Sequence, residues 1–359
     1  MKIGIACGGT GGHLFPGIAV GHVLLAQGHE VTLWVSGRDV EADGLRQWPA
    51  QTITVSARGF GGGVFAKVAT CFFLTRAIIQ SWRIMRRGKP DALLAMGSYA
   101  SVGPVLAASL LRVPVVLHEA NATPGKAVMF LARFAREVCT TFDVTESLMR
   151  GRAFRCTGLP IRGAGTDVAR RLPERDGGDP LCVLVMGGSQ GAAVLNSLLP
   201  RVMGRLQERG VAIRSIHLTG ADRDVAVRAA YEELGVASEV MAFCNDMPRS
   251  YAAADLAICR AGAATCCELA QHQLPSILVP HPSAGGGHQR LNAESMQTQA
   301  AARLMDQSAM TEDALSELVG SLLGDPDQRA SMQQALATMA RPGAARDVAD
   351  RLLHYAKGA

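Results

Sequence analysis

Three loops hold most of the chemistry legible in this sequence. The first, GGTGGH from Gly8 to His13, follows the apolar run KIGIAC, and the second, GGSQGA from Gly187, follows LCVLVM. A glycine-rich turn between a buried strand and a helix presents backbone N–H groups and the positive end of the helix dipole. That arrangement suits a phosphate or diphosphate. The third loop follows DLAIC and reads RAGAATCCE, where small residues and Thr265 open a helix that carries Glu268 one turn in. Amides and the Thr265 hydroxyl could hold phosphate oxygens there, and a carboxylate one turn deeper could accept both hydroxyls of a ribose. Taken alone, Glu268 also fits a solvated helix charge.

Rival uses of such loops can be weighed from spacing. Neither GGTGGHL nor GGSQGA aligns to G-x-G-x-x-G in any register, which argues against a dinucleotide-binding dehydrogenase. No glycine-rich stretch ends in GK[ST], so a P-loop is excluded. Asp222-Arg223-Asp224 spells a D-x-D that could bind a divalent ion, but it follows a β-run and opens a helix, where capping and dipole complementarity account for it. The nine cysteines sit mostly in apolar strand-like runs without any CxxC pair, and they read as buried thiols in a reducing compartment.

The elements that position these loops alternate in type. KIGIAC, the glycine loop, a helix expected from about Pro16 to Gln27 and the run VTLWV form a βαβ unit. Further β-runs at Thr52–Val55, Ala92–Ala95, Val115–His118 and Glu137–Thr140 favour a parallel doubly wound sheet. A Gly-, Arg- and Pro-rich stretch from Gly158 to Pro180 then reads as a linker. Beyond it the opening recurs, because Gly8, Gly9, Thr10 and Gly12 match Gly187, Gly188, Ser189 and Gly191 at a constant offset of 179. Four more β-runs, Ala212–Leu218, Val240–Phe243, Leu256–Cys259 and Ser276–Pro280, complete a second domain of the same kind. The expected division is 1–161 and 162–343, with a last helix in 344–359 packing back on the first domain.

With 359 residues, 48% of them hydrophobic and 19% charged, the chain is long and apolar enough for two cores. Its first residues lack a secretory signal, and a cytoplasmic start is expected. Ala92–Leu111 is uncharged, but GSYASVGP in its middle argues for strand, loop and helix rather than a membrane span. The net charge of +5 is unevenly placed: eight basic residues and no acidic one lie between Gly44 and Pro90. Such a segment points to an anionic surface or ligand.

GGTGGHLFPGIAV, GSYAS, VVLHEAN, GGSQGA, FCNDM, CRAGAATCCELA and HQRLNA resemble, in order and spacing, the motifs of the MurG family. The resemblance covers nearly the whole chain. It implies the α/β GT-B fold, two Rossmann-like domains facing across a cleft. It also implies inverting transfer of N-acetylglucosamine from UDP-GlcNAc to the 4-hydroxyl of the muramoyl sugar of lipid I, giving lipid II. The resemblance places the donor diphosphate and sugar against Thr10, Gly11, Gly12, Asn121, Arg162 and Ser189, with the backbone at Cys244 reading the uracil. It places phosphate and ribose at Ala263, Ala264, Thr265 and Glu268, and the sugar hydroxyls at Gln289.

Inversion requires the acceptor hydroxyl to lose a proton as it attacks. His13, at the mouth of the first loop, is the first candidate for that base, followed by His118 and Glu119. No metal or other cofactor is needed, since amides, a helix dipole and Arg162 can stabilise the leaving diphosphate. HEAN, TCCE and GGGHQ depart from the usual HEQN, TVSE and acidic-HQ forms of the family near the ligands.

Residues 60–89 combine aromatic and aliphatic residues with Lys and Arg, and positions 68, 72, 75, 79 and 82 follow helical spacing. Two readings stand: a core helix with a solvated basic face, or an interfacial helix on anionic lipid, with Val64-Phe65 at its exposed start. The second would make the enzyme peripheral on the cytoplasmic face of the membrane. No nucleic-acid module surrounds the basic residues. A UDP-GlcNAc 2-epimerase and a transferase with another acceptor remain open as alternatives.

Overall fold

The structure is a computed structural model that describes the chain apart from residues 38–43, 56–63, 150, 152, 162–178, 189–190, 245 and 359; for 64–71 and 285 it describes the backbone alone. The chain forms two compact units, Met1–Thr166 with Arg341–Ala359, and Asp167–Ala340. Most of the expected linker lies outside the described residues.

Unit 1 is built on β1 (Lys2–Ala6), β2 (Glu30–Val35), β3 (Gln51–Thr54), β4 (Ala92–Ala95), β5 (Val115–Glu119), β6 (Glu137–Thr140) and β7 (Phe154–Cys156). They pair in the order β3-β2-β1-β4-β5-β6-β7, every pairing parallel. ALLA and VVLHE are buried at every position, as expected of central strands covered on both faces. On one face lies the helix Gly11–Ala26, where a side chain at Gly17 would stand 2.5 Å from the Cys7 Cβ, so strand and helix approach closely. Beside it the C-terminal helix Ala344–Lys357 inserts Val348, Ala349 and Leu352 into the core around Ile3 and Ile5. Its Arg351 forks onto the buried Glu137 of β6, Nε to Oε2 at 2.7 Å and a second bond at 3.2 Å.

The other face is covered by the helices Val64–Arg87 and Val102–Leu110, with Ala77 of the first packed against Gly103 of the second. Here the core reading of the stripe is corrected. Ala77, Ser81 and Met85 face the core, while Phe72 is 65% exposed and Ile79 43%. Thr75 is exposed as well, and Trp82 is half-buried with the Arg86 guanidinium over its ring. The apolar spacing marks the outward face because the inward face includes the small residues Ala77 and Ser81, which let the helix sit close on its neighbour. Of the expected lipid-facing start, residues 60–63 lie outside the described residues, and so do the side chains of Val64 and Phe65.

Unit 2 repeats the plan with β8 (Leu181–Met186), β9 (Ile213–Leu218), β10 (Ala237–Met241), β11 (Leu256–Cys259), β12 (Ser276–Leu278) and β13 (Arg303–Leu304). Their order is β10-β9-β8-β11-β12-β13, again all parallel. Its core holds a buried polar chain. His217 reaches Asn196 Oδ1 at 3.1 Å and Tyr231 Oη at 3.0 Å, and Tyr231 Oη meets Ser215 Oγ at 3.0 Å.

Three further expectations are corrected. β7 and β13 lack the apolar runs used to find strands, being short, peripheral and partly exposed. β10 starts three residues before its apolar run, since Ala237, Ser238 and Glu239 occupy an exposed edge. The first helix begins at Gly11 rather than Pro16. Gly9 (φ +118°) and an extended Thr10 turn the chain straight into it, and Pro16 sits inside, where it leaves the Gly12 carbonyl without its usual donor. Residues 92–111 form strand, a short 3₁₀ turn and helix; no helix among the described residues is long and apolar enough to cross a membrane.

Candidate functional site

In a doubly wound sheet ligands gather beyond the carboxyl ends of the strands where the order reverses. These points lie between β1 and β4 in unit 1, and between β8 and β11 in unit 2. The glycine loops leave β1 and β8, so both units bring their loop to that place.

In unit 1 a Cβ at Gly8 would lie 2.5 Å from the Ser36 nitrogen, a contact that only glycine avoids. The GSYAS segment braces this loop: Ser98 Oγ donates to the Gly8 carbonyl, and Ser101 Oγ donates to the Ala6 carbonyl at 3.1 Å. Thr10 is the N-cap of the first helix, yet its hydroxyl makes no capping bond. It meets His13 Nδ1 at 2.8 Å instead. With Nδ1 protonated and donating to Thr10, His13 Nε2 presents a lone pair. The ring is half-buried, and desolvation by burial lowers its pKa from 6.5 to about 4. It is therefore neutral at physiological pH, the state a proton acceptor needs. Gly11 and Gly12 occupy the first helical turn, whose N–H groups have no acceptor within the helix.

His118 and Glu119, the next candidates for the base, are both held inside unit 1. His118 is completely buried, with Nε2 2.9 Å from the Gly158 carbonyl oxygen and Nδ1 without a hydrogen-bond partner among the described residues. Burial pushes it down to about 4 and closes it to solvent. Glu119 is buried too, and both its oxygens are engaged. Oε1 accepts from Asn121 N at 2.9 Å and from Asn121 Nδ2 at 3.3 Å, and Oε2 accepts from Gly125 N at 2.8 Å. It shapes the loop that carries Asn121 and orients that side chain.

In unit 2 the loop after β8 places Gly191 at φ +70°, where a Cβ would lie 2.0 Å from the Thr219 carbonyl oxygen. Ser189 and Arg162 lie outside the described residues. After β11 the helix Ala263–Gln271 starts at Gly262 with no side-chain cap, so the amides of Ala263, Ala264 and Thr265 stand in an open first turn. Arg260, just before it, is buried. Its guanidinium donates to the Val279 and Pro280 carbonyls and to Gln307 Oε1, and among the described residues no carboxylate pairs with it. Asn292 Nδ2 donates to the Ala261 carbonyl at 3.1 Å and pins the loop from the other side.

Glu268 is half-buried. Desolvation raises its pKa, and a hydrogen bond from Tyr251 opposes that shift. Gln289 Oε1 accepts from the His281 amide at 2.8 Å. Cys244 is half-buried, its Sγ 3.4 Å from Ser250 Oγ. Asp224 lies in the first turn of its helix and reaches Arg228 at 3.7 Å, while Asp222 sits at φ +59° in the preceding turn, so the D-x-D belongs to a helix start. Among the described residues no group of three His, Cys, Asp or Glu could hold a metal ion.

The sequence reading quoted motifs that contain Ser98, Ser101, Arg260 and Asn292 but gave these residues no role of their own, and it did not name Tyr251. A buried tyrosine needs a partner for its hydroxyl, but spacing alone does not say that the partner lies 17 positions on. The serines carried a usable signal, as small polar residues directly after a central strand.

Residues 3–140 match the glycosyltransferase family 28 N-terminal domain, and residues 182–348 the family 28 C-terminal domain. A UDP-N-acetylglucosamine–N-acetylmuramyl-(pentapeptide) pyrophosphoryl-undecaprenol N-acetylglucosamine transferase of Tolumonas auensis is 38% identical over 98% of both chains. The Methylococcus capsulatus protein of the same name is 38% identical over 99% of both. The crystal structure of Acinetobacter baumannii MurG superposes with a TM-score of 0.84 at 29% identity, covering 98% of this chain and 99% of that one. With both halves matched and full-length relatives this similar, the chain belongs to the MurG family within glycosyltransferase family 28.

Proposed function

We propose that this chain transfers N-acetylglucosamine from UDP-GlcNAc to the 4-hydroxyl of the muramoyl sugar in a polyprenyl-pyrophosphate-linked acceptor, lipid I, giving lipid II with inversion. The observation that carries the donor half is the uncapped start of Ala263–Gln271 next to Arg260, a buried cation without a carboxylate partner among the described residues. Buried charge unpaired within the protein is costly, and an anionic ligand at the helix start relieves it. The acceptor follows the names of the relatives.

In this reading Thr265 and the amides of Ala263 and Ala264 hold phosphate, and Glu268 takes the ribose hydroxyls. Gln289 contacts the sugar, and the Cys244 backbone contacts the base. Gly11, Gly12, Asn121, Arg162 and Ser189 keep their assignment to the diphosphate and sugar. Thr10 acts through His13, holding the imidazole. As the acceptor oxygen bonds to the anomeric carbon, its proton passes to His13 Nε2, the bond from that carbon to the phosphate oxygen breaks, and UDP departs with the electron pair.

The membrane reading moves to the described part of the helix Val64–Arg87. Exposed Phe72 and Ile79 stand among Arg76, Arg83, Arg86 and Arg87, a face suited to an anionic lipid surface at the cytoplasmic side. The donor assignment is tested by calorimetry with UDP in metal-free buffer. Wild type should bind, and Glu268→Ala should bind at least tenfold more weakly. Equal affinity in the variant removes the ribose assignment.

A further inference from the structure

We infer that Tyr251 is a positioning residue for nucleotide recognition: its hydroxyl fixes one oxygen of Glu268 so that the other is presented to the ribose. This rests on the ribose reading of Glu268 given above.

Tyr251 Oη donates to Glu268 Oε2 at 2.6 Å, a short bond as expected between a neutral phenol and a carboxylate. The ring is buried and stacks on His272, with centroids 4.8 Å apart and planes 22° apart. Glu268 and His272 are four residues apart, on one face of the same helical segment, and Tyr251 grips both. A glutamate at a half-buried site has three side-chain torsions to fix. Here the phenol fixes them before any ligand arrives, which lowers the ordering cost of binding.

The element that carries Tyr251 extends the point. Asp246 caps the helix Met247–Ala253 by accepting from Arg249 N at 3.2 Å. The residue before Tyr251, Ser250, meets Cys244 Sγ. The helix therefore touches the loop assigned to the base through Ser250 and the group assigned to the ribose through Tyr251. Base and sugar of one nucleoside are registered against each other by two adjacent side chains.

Tyr251→Phe removes one oxygen and keeps the ring and its stack. The probes are UDP and 2′-deoxy-UDP, titrated by calorimetry into wild type, Y251F, E268Q and the double variant. The expected result is about a tenfold loss of UDP affinity in Y251F. A smaller loss for 2′-deoxy-UDP, and no further loss when Y251F is added to E268Q, complete the pattern. In turnover the loss falls on the donor KM rather than on kcat. His272→Ala, which removes the stack but keeps the hydroxyl, should show a weaker form of the same selectivity and serves if Y251F folds poorly. Wild-type UDP affinity in Y251F, or equal losses for the two nucleotides, overturns the positioning role while leaving Glu268 intact. If E268Q itself binds both nucleotides as wild type does, the ribose reading fails and this inference falls with it.

Discussion

Acidification offers a quantitative handle on unit 1 through His118. This imidazole is completely buried at the end of β5, and burial holds its pKa near 4 against an ordinary value of 6.5. Between those values the unfolded chain binds a proton that the folded chain refuses. Stability is therefore full above about pH 6.5 and is lost as pH falls toward about 4. Integrated from pH 7 to pH 5, the loss from this one group is about 2 kcal/mol, at about 1.4 kcal/mol per unit over the steep part. His118→Gln removes the titration. Because two units need not unfold together, a single melting temperature is a poor readout, and amide exchange in β5 and β6 reports unit 1 directly. The variant should be less stable than wild type at pH 7 by roughly 1–3 kcal/mol, through the lost bond to Gly158 and altered packing. At pH 5 its deficit should shrink by about 2 kcal/mol. A deficit that does not change with pH would refute the claim that the buried ring stays neutral.

Other variants probe the site. His13→Ala should cut turnover by about 100-fold or more while UDP affinity stays within a few fold; near-normal turnover would make His13 a structural residue. Gly191→Ala forces a side chain against the Thr219 carbonyl at positive φ. It should cost roughly 2–4 kcal/mol in unit 2 and weaken UDP binding more than tenfold, and unchanged amide exchange and affinity would count against a rigid loop. Replacing Phe72 and Ile79 by serine should reduce binding to anionic vesicles and activity on a long-chain acceptor. Activity on a short-chain soluble acceptor should be spared, and equal loss on both means that the helix only supports the fold.

The parallel order of both sheets was legible because strands buried on two faces must be apolar throughout. KIGIA and LCVLVM could hardly be anything else. The GG-[ST]-x-G repeat marked both switch points for a steric reason: Gly8 and Gly191 stand where any side chain meets backbone. Edge strands such as Phe154–Cys156 carry no such constraint and left no pattern. On the helix Val64–Arg87 periodicity found the element but left open which way the apolar stripe faces, and only the packing of Ala77 and Ser81 turns Phe72 and Ile79 outward. The candidate bases separated only in three dimensions. His13, His118 and Glu119 all end or follow a strand, but His118 and Glu119 are buried and Glu119 is held by backbone and side-chain donors, whereas His13 is only half-buried.

Sugar transfer to a lipid-linked acceptor is tested by product analysis after incubation with UDP-GlcNAc. Purified protein is supplied with UDP-GlcNAc, with and without a muramoyl-pyrophosphoryl-polyprenol acceptor. UDP release is followed, and the product linkage is read by NMR. UDP should appear only with the acceptor, together with a new β-linkage at the 4-hydroxyl of the muramoyl sugar. UDP released without acceptor, a sugar epimerised at C2, or retention at the anomeric carbon would contradict it.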